Sequence, residues 1–276
     1  MPELPEVDAI TGVVRKHAIG KRILSIKRIR DNGKYLHGMS DDMLKSPGVI
    51  IDDVFRIGKR IVMPLSYPDE RWAGGMFVIH NAMTGYLDWE HAPWTFDYVE
   101  GARTASDSDV RVKFLLSDDV TLRFHDARLF GRIDWMHALP SHVVESPELM
   151  RTPNDACGMM PVITLEAFAR GVLSSRLPVK QLLMEQEFLA GIGNIYSSEA
   201  CHLAGVDPRH AGMSIHPAFI PVLLEALRCV VAHSIPQVTY QWLNVYRRTT
   251  CGSCGGPIVR CMIAKRATFL CERCQT

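Results

Sequence analysis

The chain has 276 residues, 47% of them apolar, and 31 Lys+Arg offset 30 Asp+Glu for a formal net charge of +1. That length supports two modest domains, and the composition excludes collagenous, low-complexity or disordered classes. No apolar run approaches the ~18 residues of a membrane span, and the first twenty residues carry Glu3, Glu6 and Asp8 in place of a signal-peptide core. A cytoplasmic protein without signal peptide is expected.

From Val7 onward, apolar residues recur at helical spacing (Val7, Ile10, Val14), with Pro5 placed for the first turn and Gly20 past the end, which predicts a helix over 7–19. Short β-rich runs follow at 22–29, 56–64, 76–80, 110–116 and 120–124, separated by Gly, Pro, Asn and Asp clusters. They predict a β-sandwich or barrel over residues 1–139. Residues 140–161 contain four prolines and little periodicity, and read as a linker. Helical patterns return at 165–173, where Thr164 is placed as N-cap, and at 179–189, 195–204 and 217–233, giving a helical domain over 162–246. Residues 247–276 form the last element.

That last segment holds Arg247, Arg248, Arg260, Lys265, Arg266 and Arg273 against Glu272 alone, a local charge of +5 that leaves −4 for the rest. It also holds Cys251-x2-Cys254 and Cys271-x2-Cys274, sixteen residues apart, the spacing of a four-thiolate structural zinc site closed by two knuckles. One Zn2+ is expected, because so short and polar a tail buries too little surface to fold without a staple. Between the knuckles, two β-rich runs flank a turn at 263–266, a hairpin with Arg266 at or near its tip, where a guanidinium reaches phosphate. Cys157, Cys201, Cys229 and Cys261 are scattered and read as reduced, buried thiols.

Other motifs speak less by themselves. Pro2 beside Glu3 offers a secondary amine next to a carboxylic acid once Met1 is removed, a pairing able to attack a sugar aldehyde carbon and supply a proton. Gly191-Ile192-Gly193-Asn194 breaks one helix and starts another, with Asn194 placed to cap it and free amides available to a phosphate. Lys59 sits in a glycine turn. Met83, and Arg128 with Phe130, lie beside loop-forming residues; by motif strength alone Met83 and Phe130 read as core side chains, but such groups also wedge into a base stack.

Taken in order, these residues resemble the formamidopyrimidine-DNA glycosylases, sister to the endonuclease VIII group. The resemblance runs through Pro2-Glu3-Leu4-Pro5-Glu6-Val7, Lys59, His80-x-x-Met83-Thr84-Gly85, Asp126-x-Arg128-x-Phe130-Gly131, Leu182-Leu183-x-x-Gln186, Ala190–Tyr196 and the finger, and Leu4 places it nearer the former branch. It implies an α+β multidomain protein: an N-terminal helix on a two-sheet β-sandwich, then a helix-two-turn-helix bundle with a C-terminal β-hairpin zinc finger. It further implies a monomeric, nucleoid-associated bifunctional glycosylase and lyase acting on double-stranded DNA that contains oxidised bases or abasic sites. Pro2 would be the Schiff-base nucleophile, Glu3 the proton donor to the opened sugar, Lys59 a participant in β-elimination, and Arg266 a phosphate ligand assisting δ-elimination. Lys180 and Asn194 would hold the DNA backbone, while Met83, Arg128 and Phe130 fill the place of the extruded base. The alternative is a non-catalytic damaged-DNA-binding homologue.

Three departures from the family pattern stand out. Asp126-Ala127-Arg128 replaces Asp-Pro-Arg, Phe96-Asp97-Tyr98 replaces a His-Asp-His stretch, and residues 234–246 lack any glycine where a glycine-rich capping loop for 8-oxoguanine usually lies. An uncapped pocket favours lesions that unstack at low cost over 8-oxoguanine.

Overall fold

The computed structural model describes residues 2–30, 33–45, 48–66, 75–91, 106–156, 159–236 and 238–276. The chain divides into two compact units, Met1–Ser141 with Thr152–Ala156, and His142–Arg151 with Cys157–Thr276.

The first unit opens on helix α1 (Leu4–Ala18), whose Leu4, Val7, Ile10, Val14 and Ala18 are fully buried. It begins three residues before the apolar periodicity does, because Glu6 Oε2 accepts from the Glu3 backbone N–H at 2.8 Å and so closes the first turn. Then come β1 (Ile23–Arg28), β2 (Tyr35–His37), α2 (Asp41–Lys45), β3 (Ile50–Ile51), β4 (Phe55–Ile57), β5 (Arg60–Ser66), β6 (Gly75–His80), β7 (Tyr86–Trp89), β8 (Val110–Leu116), β9 (Thr121–His125) and β10 (Arg132–Met136). They make the expected two sheets. One has the order β1-β8-β9-β7; the other runs β2-β10-β6-β5-β3, with β4 also on β5. The sheets meet through aromatic side chains: Phe77 of β6 lies edge-to-face on Phe114 of β8 at 5.5 Å, and Tyr35 of β2 on Phe124 of β9 at 5.7 Å. Helix α1 packs on β4, β5 and β7.

After a short helix α3 (Ser141–Glu145), the second unit is built from α4 (Leu165–Ser174), α5 (Val179–Met184), α6 (Asn194–Leu203), α7 (Phe219–Ser234) and the hairpin β11 (Val259–Ile263) with β12 (Arg266–Leu270). Thr164 caps α4, its hydroxyl accepting from Ala167 N–H at 3.1 Å. Helix α5 stops five residues short of the expected end, because the Gln186 amide turns back onto the carbonyls of Met184 and Ile192. Helix α7 buries Ile220, Leu223, Leu224, Leu227, Val230 and Val231 against α4 and α6. No helix among the described residues is long and apolar enough to cross a membrane.

Candidate functional site

In the first unit, Pro2 and Glu3 are buried at the start of α1, Glu3 being the extended N-cap residue at φ −110°, ψ −165°. Glu6, also fully buried, pins the Glu3 backbone. The backbone nitrogen of residue 2 and the carboxyl of residue 3 are thus carried on a helix end rather than a loop. Lys59 occupies the second position of the two-residue turn between β4 and β5, closed by the Ile57–Arg60 pair. Gly58 takes the left-handed φ of +55° that this turn requires at its first position. The imidazole of His80, paired with Arg60 across β5 and β6, is pushed down to about 4, first by burial and then by the Arg60 and Lys59 cations. It is neutral at physiological pH.

Asp126, fully buried at the end of β9, gathers the loops that carry Met83, Arg128 and Phe130. Its Oδ1 accepts from Thr84 Oγ1 at 2.7 Å; its Oδ2 accepts from Gly131 N–H at 2.5 Å and Tyr35 Oη at 3.1 Å. Thr84 Oγ1 in turn accepts from Arg128 N–H at 3.2 Å. A side chain at Gly131 would strike Asp126 and Phe124, so the turn is tied to glycine. Phe130, which reads as core from hydrophobicity alone, is 49% exposed, with Arg128 over its ring at 5.0 Å. Met83 is half-buried.

In the second unit, Lys180, fully buried, donates to Asn194 Oδ1 at 2.5 Å and to Thr268 Oγ1 of β12 at 2.8 Å. Asn194 Nδ2 donates to the Ala267 carbonyl at 3.0 Å. Asn194 is therefore the first residue of α6 rather than its cap; Gly193 is the N-cap, and the Asn194 side chain is drawn to the hairpin. Arg266 is exposed at the start of β12, immediately after the Ala264-Lys265 turn, where both residues have positive φ.

The four finger cysteines come together, all Sγ atoms within 4.8 Å of one another, with Cys251–Cys274 at 3.9 Å and Cys254–Cys271 at 3.5 Å. A tetrahedron with Zn–S of ~2.3 Å has edges of ~3.8 Å, and no cysteine among these four is in a disulfide. The donor set fits zinc. The Cys274 thiol is pushed up to about 12, chiefly by its hydrogen bond with Cys254. His202 of α6 places Nε2 3.2 Å from Cys251 Sγ. Of the other cysteines, Cys201 is buried, as read from sequence, but Cys229 is exposed and Cys261 half-buried, since they fall on outward positions of α7 and β11. Cys157 and Phe96-Asp97-Tyr98 lie outside the described residues.

Sequence reading missed the organising residues. Thr84, Asp126 and Thr268 stand inside motifs noted for their neighbours. Glu199 of α6, whose buried carboxylate accepts from Asn244, Val245 and Tyr246 N–H at 2.7–2.9 Å, fixes the segment entering the finger, and no local pattern announces it.

Known proteins share this fold. A family model described as the formamidopyrimidine-DNA glycosylase N-terminal domain matches residues 1–133, and one described as the formamidopyrimidine-DNA glycosylase H2TH domain matches 158–241. Formamidopyrimidine-DNA glycosylases of Geobacter metallireducens and Acidithiobacillus ferrooxidans are each 30% identical, over the full length of both chains. The crystal structure of the MutM (Fpg) protein of Thermus thermophilus superposes with a TM-score of 0.78 at 26% identity, covering 99% of this chain and 98% of that one. Lactococcus lactis Fpg, solved in complex with abasic-site DNA, shares the fold at a TM-score of 0.79 and 22% identity, covering 99% of each chain.

Proposed function

Because this chain belongs to the formamidopyrimidine-DNA glycosylase family, we propose that it excises oxidised or ring-opened bases from double-stranded DNA and then cleaves the abasic strand by β,δ-elimination. With Met1 removed, the Pro2 nitrogen attacks the sugar C1′ as the bond to the damaged base breaks, and Glu3 supplies the proton that opens the sugar ring. The resulting iminium acidifies the 2′ position. Loss of a 2′ proton expels the 3′ phosphate, with Lys59 serving that step. A second elimination expels the 5′ phosphate, assisted by Arg266. An α-amino group with a pKa of ~8 is substantially neutral near pH 7, whereas an ordinary lysine at ~10.4 is not, which suits Pro2 to the nucleophilic role.

The observation that carries the reading is the Pro2-Glu3 pair itself, buried on a helix end whose first turn is closed by a second buried carboxylate, Glu6. Met83, Arg128 and Phe130 are assigned to the space vacated by the extruded base, supported by their shared anchorage on Asp126. Lys180 and Asn194 are assigned to the DNA backbone, Lys180 acting through its hold on Asn194. One zinc ion bound by Cys251, Cys254, Cys271 and Cys274 would supply structure alone, cross-linking the knuckles that present Arg266.

A panel of matched duplexes tests the activity and its lesion choice. Single-turnover assays should give excision of formamidopyrimidines and oxidised pyrimidines, and strand cleavage at abasic sites, all faster than 8-oxoguanine excision opposite cytosine. Tight lesion binding without any product would establish the non-catalytic alternative.

A further inference from the structure

Arg56 is the largest fully buried side chain among the described residues and stands three residues before Lys59. Its Nη1 donates to the Gly58 carbonyl at 2.9 Å, Nη2 to Thr152 Oγ1 at 3.0 Å, and Nε to Asp8 Oδ1 and Thr152 Oγ1, both at 3.4 Å. Asp8, on α1, is equally enclosed: it accepts from Thr152 Oγ1 at 2.5 Å, from Asn154 N–H at 3.3 Å and from Asn154 Nδ2 at 3.0 Å. The Arg56 backbone N–H donates to Asn154 C=O at 2.6 Å, and its carbonyl accepts from Ala156 N–H at 3.1 Å.

A buried ion pair of this kind adds little net stability, since well-packed apolar side chains do as well in its place; what it supplies is a fixed geometry. The geometry fixed here is that of the Lys59 turn. Gly58 C=O belongs to the central peptide of the two-residue turn, beyond the Ile57–Arg60 pair that ends the β4–β5 register. Rotation of that peptide is the least costly distortion of such a turn, and it redirects the Cα–Cβ bond of the following residue. A guanidinium fork holds a carbonyl and a carboxylate at once, which a lysine ammonium cannot do with the same rigidity. The partner carboxylate, Asp8, sits on α1, the helix whose N-cap is Glu3.

We propose that Arg56 is a positioning residue for Lys59: it locks the Gly58–Lys59 peptide to α1 and so fixes the Lys59 ammonium relative to Pro2 and Glu3. This inference rests on the assignment of Lys59 to β-elimination. A misplacement of about 1 Å at a reacting group costs up to roughly a hundredfold in rate.

The test is a double-mutant cycle on the full-length protein, read as single-turnover strand cleavage at a preformed abasic site. Arg56→Lys keeps a cation beside Asp8 and hence the fold; the charge-neutral pair Asp8→Asn with Arg56→Gln serves as a second variant, and thermal melts confirm that both are folded. Each is expected to cleave roughly tenfold to a hundredfold more slowly, with borohydride trapping at Pro2 retained. In a Lys59→Ala background the same changes should add no further loss, because there is no ammonium left to misplace. Cleavage at the wild-type rate, or losses that multiply with that of Lys59→Ala, would overturn the inference. If Lys59→Ala alone cleaves normally, the failure belongs to the assignment of Lys59 instead.

Discussion

The Thr84 hydroxyl donates to Asp126 Oδ1 at 2.7 Å and accepts from Arg128 N–H at 3.2 Å, and through these two bonds it ties the loop of Met83 to the loop of Arg128 and Phe130. Thr84→Val keeps the shape and removes the donor, leaving Arg128 N–H without its acceptor as well. It is expected to lower stability by about 1 kcal/mol and lesion-duplex affinity by about fivefold, with binding to undamaged duplex unchanged. Titrations of the two duplexes against both proteins measure this; an equal loss on both would assign Thr84 to general DNA contact.

Arg266 stands exposed at the start of β12, outside the core, so Arg266→Ala should leave the melting temperature unchanged. If it holds one phosphate, the slope of log Kobs against log salt falls by about 0.9 and binding weakens for every sequence alike. An unchanged slope would remove Arg266 from the DNA interface.

The four finger Sγ atoms lie within 4.8 Å of one another, close enough to share one ion. Cys254→Ser should lower the zinc content from one per chain towards zero after dialysis and weaken DNA binding, while the β-sandwich retains its melting transition. Stoichiometric zinc in the variant would contradict the four-thiolate assignment.

His80 titrates at about 4 in the folded protein, held down by burial and by Arg60 and Lys59, with Asp134 opposing them. Its unfolded value is 6.5. The unfolded chain therefore takes up a proton between these values that the folded chain refuses, so His80 contributes stability above pH 6.5 that is lost as pH falls. The loss amounts to about 2 kcal/mol by pH 5. His80→Gln should reduce the pH dependence of urea unfolding between pH 7.5 and 5 by that amount, and an unchanged dependence would contradict the burial of a neutral imidazole.

What could be read from the sequence was local. The finger hairpin follows from ligand spacing, and the two sheets from alternation between turn residues. Helix α1 follows from its periodicity, but its true start depends on the reach of Glu6 back to Glu3, which an apolar pattern does not contain. Asn194 has every mark of an N-cap, yet the Lys180 ammonium and the Ala267 carbonyl compete for its amide and win. Phe130 is exposed because the Asp126–Gly131 turn forces it outward, against its hydrophobicity. Arg56 could not be read at all: its partners Asp8 and Thr152 are 48 and 96 residues away along the chain.

The proposed catalysis is covalent and runs through the N-terminal amine. Borohydride added during turnover on a lesion duplex should trap a protein–DNA adduct, and peptide mapping should place it on Pro2, with mature protein lacking Met1. Pro2→Gly should replace the secondary amine with a primary one and trap more slowly, and a variant with Met1 retained should not trap. An adduct on an internal lysine, or trapping by the Met1-retaining protein at the normal rate, would remove Pro2 from the nucleophilic role.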